Sequence, residues 1–185
     1  TTKAFAKSKK HVYGFVVTKL NMNSNSYKRL FCISGTSQHF SNSKFTLFNG
    51  NVSGPQYWAQ TYDSNNTEIS PNFFTSNDFE MLLLYTNHEA GNISLYRNGV
   101  KNSELSVSTT YTMPNVDAVN PISIGYYVNN LYEKTQFTYA DIACFVANDE
   151  PITQQEIDKI FGWAAHRYGL TNNLPMDHPY KSIAP

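Results

Sequence analysis

The side chains able to do chemistry in these 185 residues fall into three groups: closely spaced carboxylates, scattered histidines, and two stretches mixing tyrosine with asparagine. Glycoside hydrolysis needs two carboxyl groups about 5–9.5 Å apart, one of them with a raised pKa. Asp78 and Glu80 alternate correctly for one face of a strand edge, yet such a pair alone is common surface decoration. Glu156 and Asp158 are also two apart, but Phe161 stands where a third acid would fall, and the segment has a helical pattern. Residues two apart on a helix point about 200° away from each other. The histidines His11, His39, His88, His166 and His178 lack zinc spacing, and the chain has neither a Gly-x-Ser-x-Gly elbow nor a phosphate loop. This inventory predicts a protein that is not an enzyme.

Binding chemistry is better represented. YWAQTYDSNN (Tyr57 to Asn66) and GYYVNNLYEK (Gly125 to Lys134) combine flat aromatic rings with short amide and carboxylate side chains. Rings suit the C–H face of a pyranose, and the polar groups suit its hydroxyls. Tyrosine- and asparagine-rich loops serve protein recognition equally well, so composition does not choose between glycan and protein. Trp58 reads equally as a core residue. Tyr126 and Tyr127 are adjacent, so at most one of them points into the core of a regular strand.

The elements that must position these stretches are mostly strands. Val12–Leu20, Lys28–Ser34, Lys44–Phe48, Gln56–Tyr62 and Phe79–Thr86 are apolar or alternating runs separated by Asn-, Ser- and Gly-rich turns. On the fourth run Tyr57, Ala59 and Thr61 fall on one face, and Trp58, Gln60 and Tyr62 on the other. Asn92–Arg97, the Asn98-Gly99 dipeptide and Val100 onward predict a hairpin, because both turn residues tolerate positive φ. Pro121–Gly125 is a further strand. Near the end, Ile142, Cys144 and Val146 alternate with Ala143, Phe145 and Ala147, which predicts a strand covered on both faces. Thr153 with Glu156 forms a capping box, and Ile157, Ile160, Phe161, Ala164 and Tyr168 make one helical stripe ending before Gly169. The pattern predicts an all-β, antiparallel two-sheet sandwich with one C-terminal α-helix.

The closing run DIACFVAND-x(7)-EIDKIFGWAAHRYGLTNNLPMDHPYKSIAP resembles the end of concanavalin A-like, laminin G-like jelly-roll domains, found in phage tail fibres, bacterial surface proteins and polysaccharide-active enzymes. Asp141, Ile142 and Ala143 match the family's strand; Gly162, Ala164, Ala165, His166, Gly169 and Leu170 match its helix; Leu174, Pro175, His178, Pro179 and Tyr180 match its tail. Trp163 and Tyr168 exchange the family's Tyr and Trp, and Cys144 stands where an acid is common. LYRNGV and PISIG resemble further strands of laminin G-like domains. The strand-borne E-x-D-x-x-E of the family's glucanases has no counterpart. The resemblance implies a jelly roll whose ligands meet the loops at one rim of the sandwich. It therefore directs the expected ligand-binding set to Tyr57, Trp58, Tyr62, Tyr126, Tyr127, Asn129, Asn130 and Tyr132. Asp63, Asn65 and Asn66 would supply carboxylate and amide oxygens to a laminin G-like calcium site, although DSNN is equally an ordinary turn. No other cofactor is implied.

Length fits one domain spanning residues 1–185, and the missing initiator Met suggests a piece of a longer chain. No apolar run approaches 18 residues, Met81 to Tyr85 being five long, so no transmembrane helix or membrane insertion is expected. The first 62 residues hold eight Lys/Arg and no Asp/Glu, and all 14 acids come later. Early strands lie beside late ones in a jelly roll, so the two sets should neutralise each other; no nucleic-acid motif accompanies the lysines. Cys32 and Cys144 read as buried thiols, with one disulfide still open. Asn51, Asn65 and Asn92 begin Asn-x-Ser/Thr triplets of the kind chance supplies in such a composition. Two readings remain: a lectin-like module recognising a cell-surface glycan or host receptor from a virion, fibre or bacterial surface, and a structural module binding other chains of a larger particle.

Overall fold

The computed structural model describes residues 9–20, 28–34, 43–51, 55–61, 68–69, 78–110, 122–128, 134–135, 138 and 140–185. In chain order the strands are β1 His11–Leu20, β2 Lys28–Ser34, β3 Ser43–Asn51, β4 Pro55–Thr61, β5 Glu68–Ile69, β6 Glu80–Asn87, β7 Asn92–Arg97, β8 Val100–Ser106, β9 Ile122–Ile124, β10 Tyr127–Val128, β11 Lys134–Thr135 and β12 Ala140–Asn148. One helix, α1 Gln154–Tyr168, follows, and then a 3-10 turn at Thr171–Asn173. The first sheet has the order β12-β1-β6-β7-β8 and the second β5-β4-β3-β2-β9, with β10 and β11 forming a separate small hairpin. Every strand pairing among the described residues is antiparallel, and the two sheets close a jelly-roll sandwich.

Strands β1 and β6 explain the layering. Their apolar residues alternate in two sets, so these two strands are buried on both sides. Val12, Val16, Leu20, Leu82 and Leu84 meet Phe31, Phe45 and Leu47 of the second sheet in the inter-sheet core. Tyr13, Phe15, Val17, Met81, Leu83 and Tyr85 form a second core beneath α1, with Ile157, Phe161, Ala164 and Ala165. The Phe15 and Phe161 rings meet edge to face at 5.4 Å. Gly14 sets how closely the sheets approach, because a Cβ there would sit 2.6 Å from Phe31 Cζ.

The helix ends as its sequence demands. Thr153 is the N-cap of a complete capping box, and Gly169 closes the helix in the left-handed region at φ 70°. Asn98 and Gly99 take φ 52° and 86° in the β7–β8 turn. The tail that carries the family-like Leu-Pro-x-x-His-Pro-Tyr run is packed down. Leu174 enters the second core, Lys181 Nζ donates to the Leu174 carbonyl at 2.6 Å, and a Cβ on Gly162 would clash with Tyr180 at 2.4 Å. No helix among the described residues is long and apolar enough to cross a membrane.

Three expectations need correction. Strand β12 does not alternate regularly: Val17 pairs with Cys144 while Thr18 pairs with Ile142, so Ala143 is a bulge. Ile142 and Phe145 therefore share the inter-sheet core, while Cys144 turns to the helix side. Because β12 is also the end strand of its sheet, Cys144 is half-buried rather than buried, and it is in no disulfide. Finally, Glu80 is not surface decoration. It is 1% exposed and bonded by the Arg97 guanidinium, with Nε at 2.7 Å, while Asp78 lies exposed. Early and late segments do neutralise each other where they meet, as in the 2.7 Å Lys9–Glu150 bridge.

Two substitutions probe these layers. Phe161→Ala should cost about 3–5 kcal/mol, since its ring is fully buried. Gly14→Ala should cost about 1–3 kcal/mol by forcing the Phe31 ring away. Urea midpoints measure both, and an unchanged midpoint in either variant contradicts the corresponding packing.

Candidate functional site

The predicted aromatic strand, β4, lies in the second sheet, and its neighbours there are β3 and β5. Register sorts its residues. Phe31 pairs with Leu47, and Leu47 with Ala59; Phe31 and Leu47 are core residues. The neighbouring ladder positions fall in the opposite set. One row runs Ser123, Cys32, Thr46, Gln60, Glu68, and the next runs Arg29, Phe48, Trp58. Leu30 is skipped in the β2–β3 ladder, which lets Leu30 and Phe31 both enter the inter-sheet core while Arg29 keeps its place in the outer row.

At the β2 and β9 side this face is closed over. Arg29 is 1% exposed, Ser123 1% and Cys32 0%. The Ser123 hydroxyl is buried without a hydrogen-bond partner. The covering begins at Gly125, whose left-handed φ of 77° turns the chain. Gly125 N–H donates to the Leu30 carbonyl at 2.9 Å, and Thr138 N–H donates to the Gly125 carbonyl at 2.7 Å. The Thr138 hydroxyl also donates to the Arg29 carbonyl. Both ends of the predicted rim loop are thus tied to one spot on β2, and its base closes as the β10–β11 hairpin, with Tyr127 opposite Thr135.

The expected site residues divide accordingly. Tyr126 is half-buried at the foot of the hairpin. Trp58 lies in the row that ends at Arg29, two strands away, about 10 Å at ordinary strand spacing. Strand β4 and strand β9, which leads into the second predicted segment, lie in one sheet, while β10 and β11 pair separately. Tyr57 separates from Trp58: it pairs with Asn49 and falls in the alternating set of Ala59 and Leu47. Tyr62, Asn129, Asn130 and Tyr132, and the calcium candidates Asp63, Asn65 and Asn66, lie outside the described residues. Among the described residues no cluster of three or more His, Cys, Asp or Glu is placed to hold a metal. Arg29 and Ser123 were not in the predicted set, although an arginine inside the apolar run KRLFCIS is a visible signal.

Elsewhere the displaced pKa values have structural causes. Burial pushes the Tyr13, Tyr85 and Tyr96 phenols up, which keeps them protonated in the second core. Hydrogen bonds from Lys101 and then Ser94 hold the Glu104 carboxyl down. A groove of about 390 Å³ on the helix side is lined by Tyr13, Asn148, Ile152, Glu156 and Lys159, and Glu156 there already serves as the helix-capping residue.

Two antiparallel sheets and a C-terminal helix define the chain as a jelly-roll sandwich. Comparison with solved structures agrees. The heptameric pentraxin of Limulus polyphemus superposes with a TM-score of 0.65 at 12% identity, over 86% of this chain and 73% of that one. The CBM40 module of the Ruminococcus gnavus IT-sialidase gives 0.60 at 11% identity, covering 82% of each chain. The NanB sialidase of Streptococcus pneumoniae gives 0.65 at 16% identity, over 82% of this chain but only 24% of that one. These likenesses are of fold. No family model matches the sequence, and neither does any curated protein.

Replacing Glu80 with Gln removes the negative partner from Arg97 and should lower stability by about 3 kcal/mol. The readout is again the urea midpoint; a variant as stable as the parent would return Glu80 to the list of candidate acids.

Proposed function

We propose that this domain is a non-catalytic glycan-binding module, displayed by a longer surface protein of a virion, fibre or bacterial cell. The register of the second sheet carries the reading. Its ladders set Thr46, Phe48, Trp58 and Gln60 at positions that alternate with the core residues Phe45 and Leu47. Aromatic faces with a few placed polar groups are what a sugar ring needs. The R. gnavus module is solved with α2,3- and α2,6-sialyllactose bound, which makes an acidic sugar the first ligand to try. The cation of Lys44, next to Phe45 on β3, suits a carboxylate. To the same proposed site belong the residues next to these elements in the sequence: Tyr127, Asn129, Asn130 and Tyr132, and Tyr62 with the calcium candidates Asp63, Asn65 and Asn66.

One observation favours the alternative, an assembly module that binds protein. Trp163 stands 45% exposed on α1, on the opposite side of the sandwich, its ring edge-on to Tyr168.

A glycan array that includes both sialyllactoses and lactose, followed by titration of whatever scores, separates the readings. Trp58→Ala should weaken binding about threefold to tenfold, the equivalent of a stacked ring's ~0.5–1.5 kcal/mol beyond area burial. Lys44→Ala should weaken sialyllactose more than lactose. Folding of each variant is checked by thermal melt. If Trp58→Ala, Lys44→Ala, Tyr127→Ala and Asn130→Ala all melt and bind like the parent, this face is not the site. If the array is silent while Trp163→Ala abolishes self-association or co-assembly, the assembly reading stands instead. Chelation that leaves binding unchanged removes calcium from the site.

A further inference from the structure

The tail after α1 holds a buried titratable group that no binding role uses. His178 is 7% exposed. Its Nδ1 accepts the Tyr180 backbone N–H at 3.2 Å. A backbone N–H can only donate, so Nδ1 is the unprotonated nitrogen and the ring proton sits on Nε2. Nε2 is buried with no hydrogen-bond partner. It lies against the β7–β8 turn, where a Cβ on Gly99 would come within 2.9 Å of the imidazole Cδ2 and 3.2 Å of Nε2. The ring is therefore gripped in its neutral form. A second proton, on Nδ1, would oppose two N–H groups and place a charge where Nε2 already lacks an acceptor.

We propose that His178 is a pH-sensitive latch: neutral, it holds the segment Leu174–Pro185 on α1 and the β7–β8 turn, and protonation releases that segment while the sandwich stays folded.

The groups around the ring fit this behaviour. From α1, Asp158 faces it and favours the proton; from the tail, Asp177 favours the proton and Lys181 opposes it. The β7–β8 turn contributes Gly99, and the charged residues flanking that turn are engaged elsewhere, Arg97 with Glu80 and Lys101 with Glu104. Burial outweighs the two aspartates, so the His178 pKa lies below its ordinary value of 6.5. A histidine whose folded pKa is depressed contributes full stability above the unfolded pKa. That contribution is lost as pH falls through the folded value. The neighbouring His166 cannot substitute for it, because His166 Nε2 meets the Tyr180 carbonyl at 3.0 Å, an acceptor that a protonated ring still satisfies. The remaining ties of the segment are few. Lys181 reaches the Leu174 and Asn172 carbonyls, Leu174 fills the second core, and Tyr180 rests on Gly162.

Amide hydrogen exchange across the full chain at about pH 7.5 and about pH 5, corrected for intrinsic rates, tests the latch. The expected result is loss of protection at the Tyr180 and Lys181 amides at the lower pH, with β1, β6 and α1 amides unchanged. His178→Asn keeps an acceptor for Tyr180 N–H and cannot titrate, so its tail should stay protected at both pH values. An NMR titration of the parent covers the case in which that variant misfolds. There, the Tyr180 amide shift should follow the His178 ring with the same midpoint, below 6.5. Tail protection that is the same at both pH values overturns the proposal. So does His178→Asn opening like the parent, or a Tyr180 amide that titrates with another group.

Discussion

Strands β1 and β6 carry apolar side chains on both faces, and the rest of the molecule is arranged to keep water from both. A sheet of this kind cannot face solvent on either side, so it requires two covers. The second sheet is one. The other is a single fifteen-residue helix, too narrow to shield five strands alone. Leu174 and the tail complete that cover, and this accounts for a packed, glycine-accommodated ending. Most of the motif that resembles the laminin G-like family is thereby explained by architecture. Gly162 makes room for Tyr180, Gly169 ends the helix, and His178 and Leu174 occupy the space between helix and hairpin.

Spending the helix and tail on the first sheet leaves the second sheet with one face unclaimed by the core. The polar and aromatic residues of β2, β3 and β4 fall by register on that side, and the β10–β11 hairpin rises from its end through three backbone and hydroxyl bonds beside Arg29. Burying a guanidinium and an unpartnered serine hydroxyl there is costly. Such costs are tolerated where a polar surface has to be shaped rather than where a core has to be filled. The two sides of the sandwich thus divide the labour: one is sealed for stability, and the other is left polar.

Much of this organisation was legible in the sequence because it rests on local physics. The Asn98-Gly99 turn, the Thr153 capping box and the Gly169 stop each follow from what neighbouring residues permit. The alternation along β1, β2 and β6 and the stripe Ile157, Phe161, Ala164 likewise reveal element type, because period and burial go together. The parity of β4, with Trp58 and Gln60 opposite Tyr57 and Ala59, also survived into the register.

What tertiary structure alone decided was everything that depends on which strand lies beside which. The bulge at Ala143 shifted half of β12 to the other face, and a bulge is a property of the pair of strands, not of either alone. Glu80 became a buried ion-pair partner because the β6–β7 pairing sets Arg97 opposite Leu82, beside it. Arg29 joined the row that leads to Trp58, and Ser123 the row that leads to Gln60, only once β2 lay between β3 and β9, and His178 met Gly99 only once the tail folded back across the helix. A sequence encodes the faces of its elements through short-range periodicity, whereas partners far apart in the chain are chosen by packing both covers onto one doubly apolar sheet.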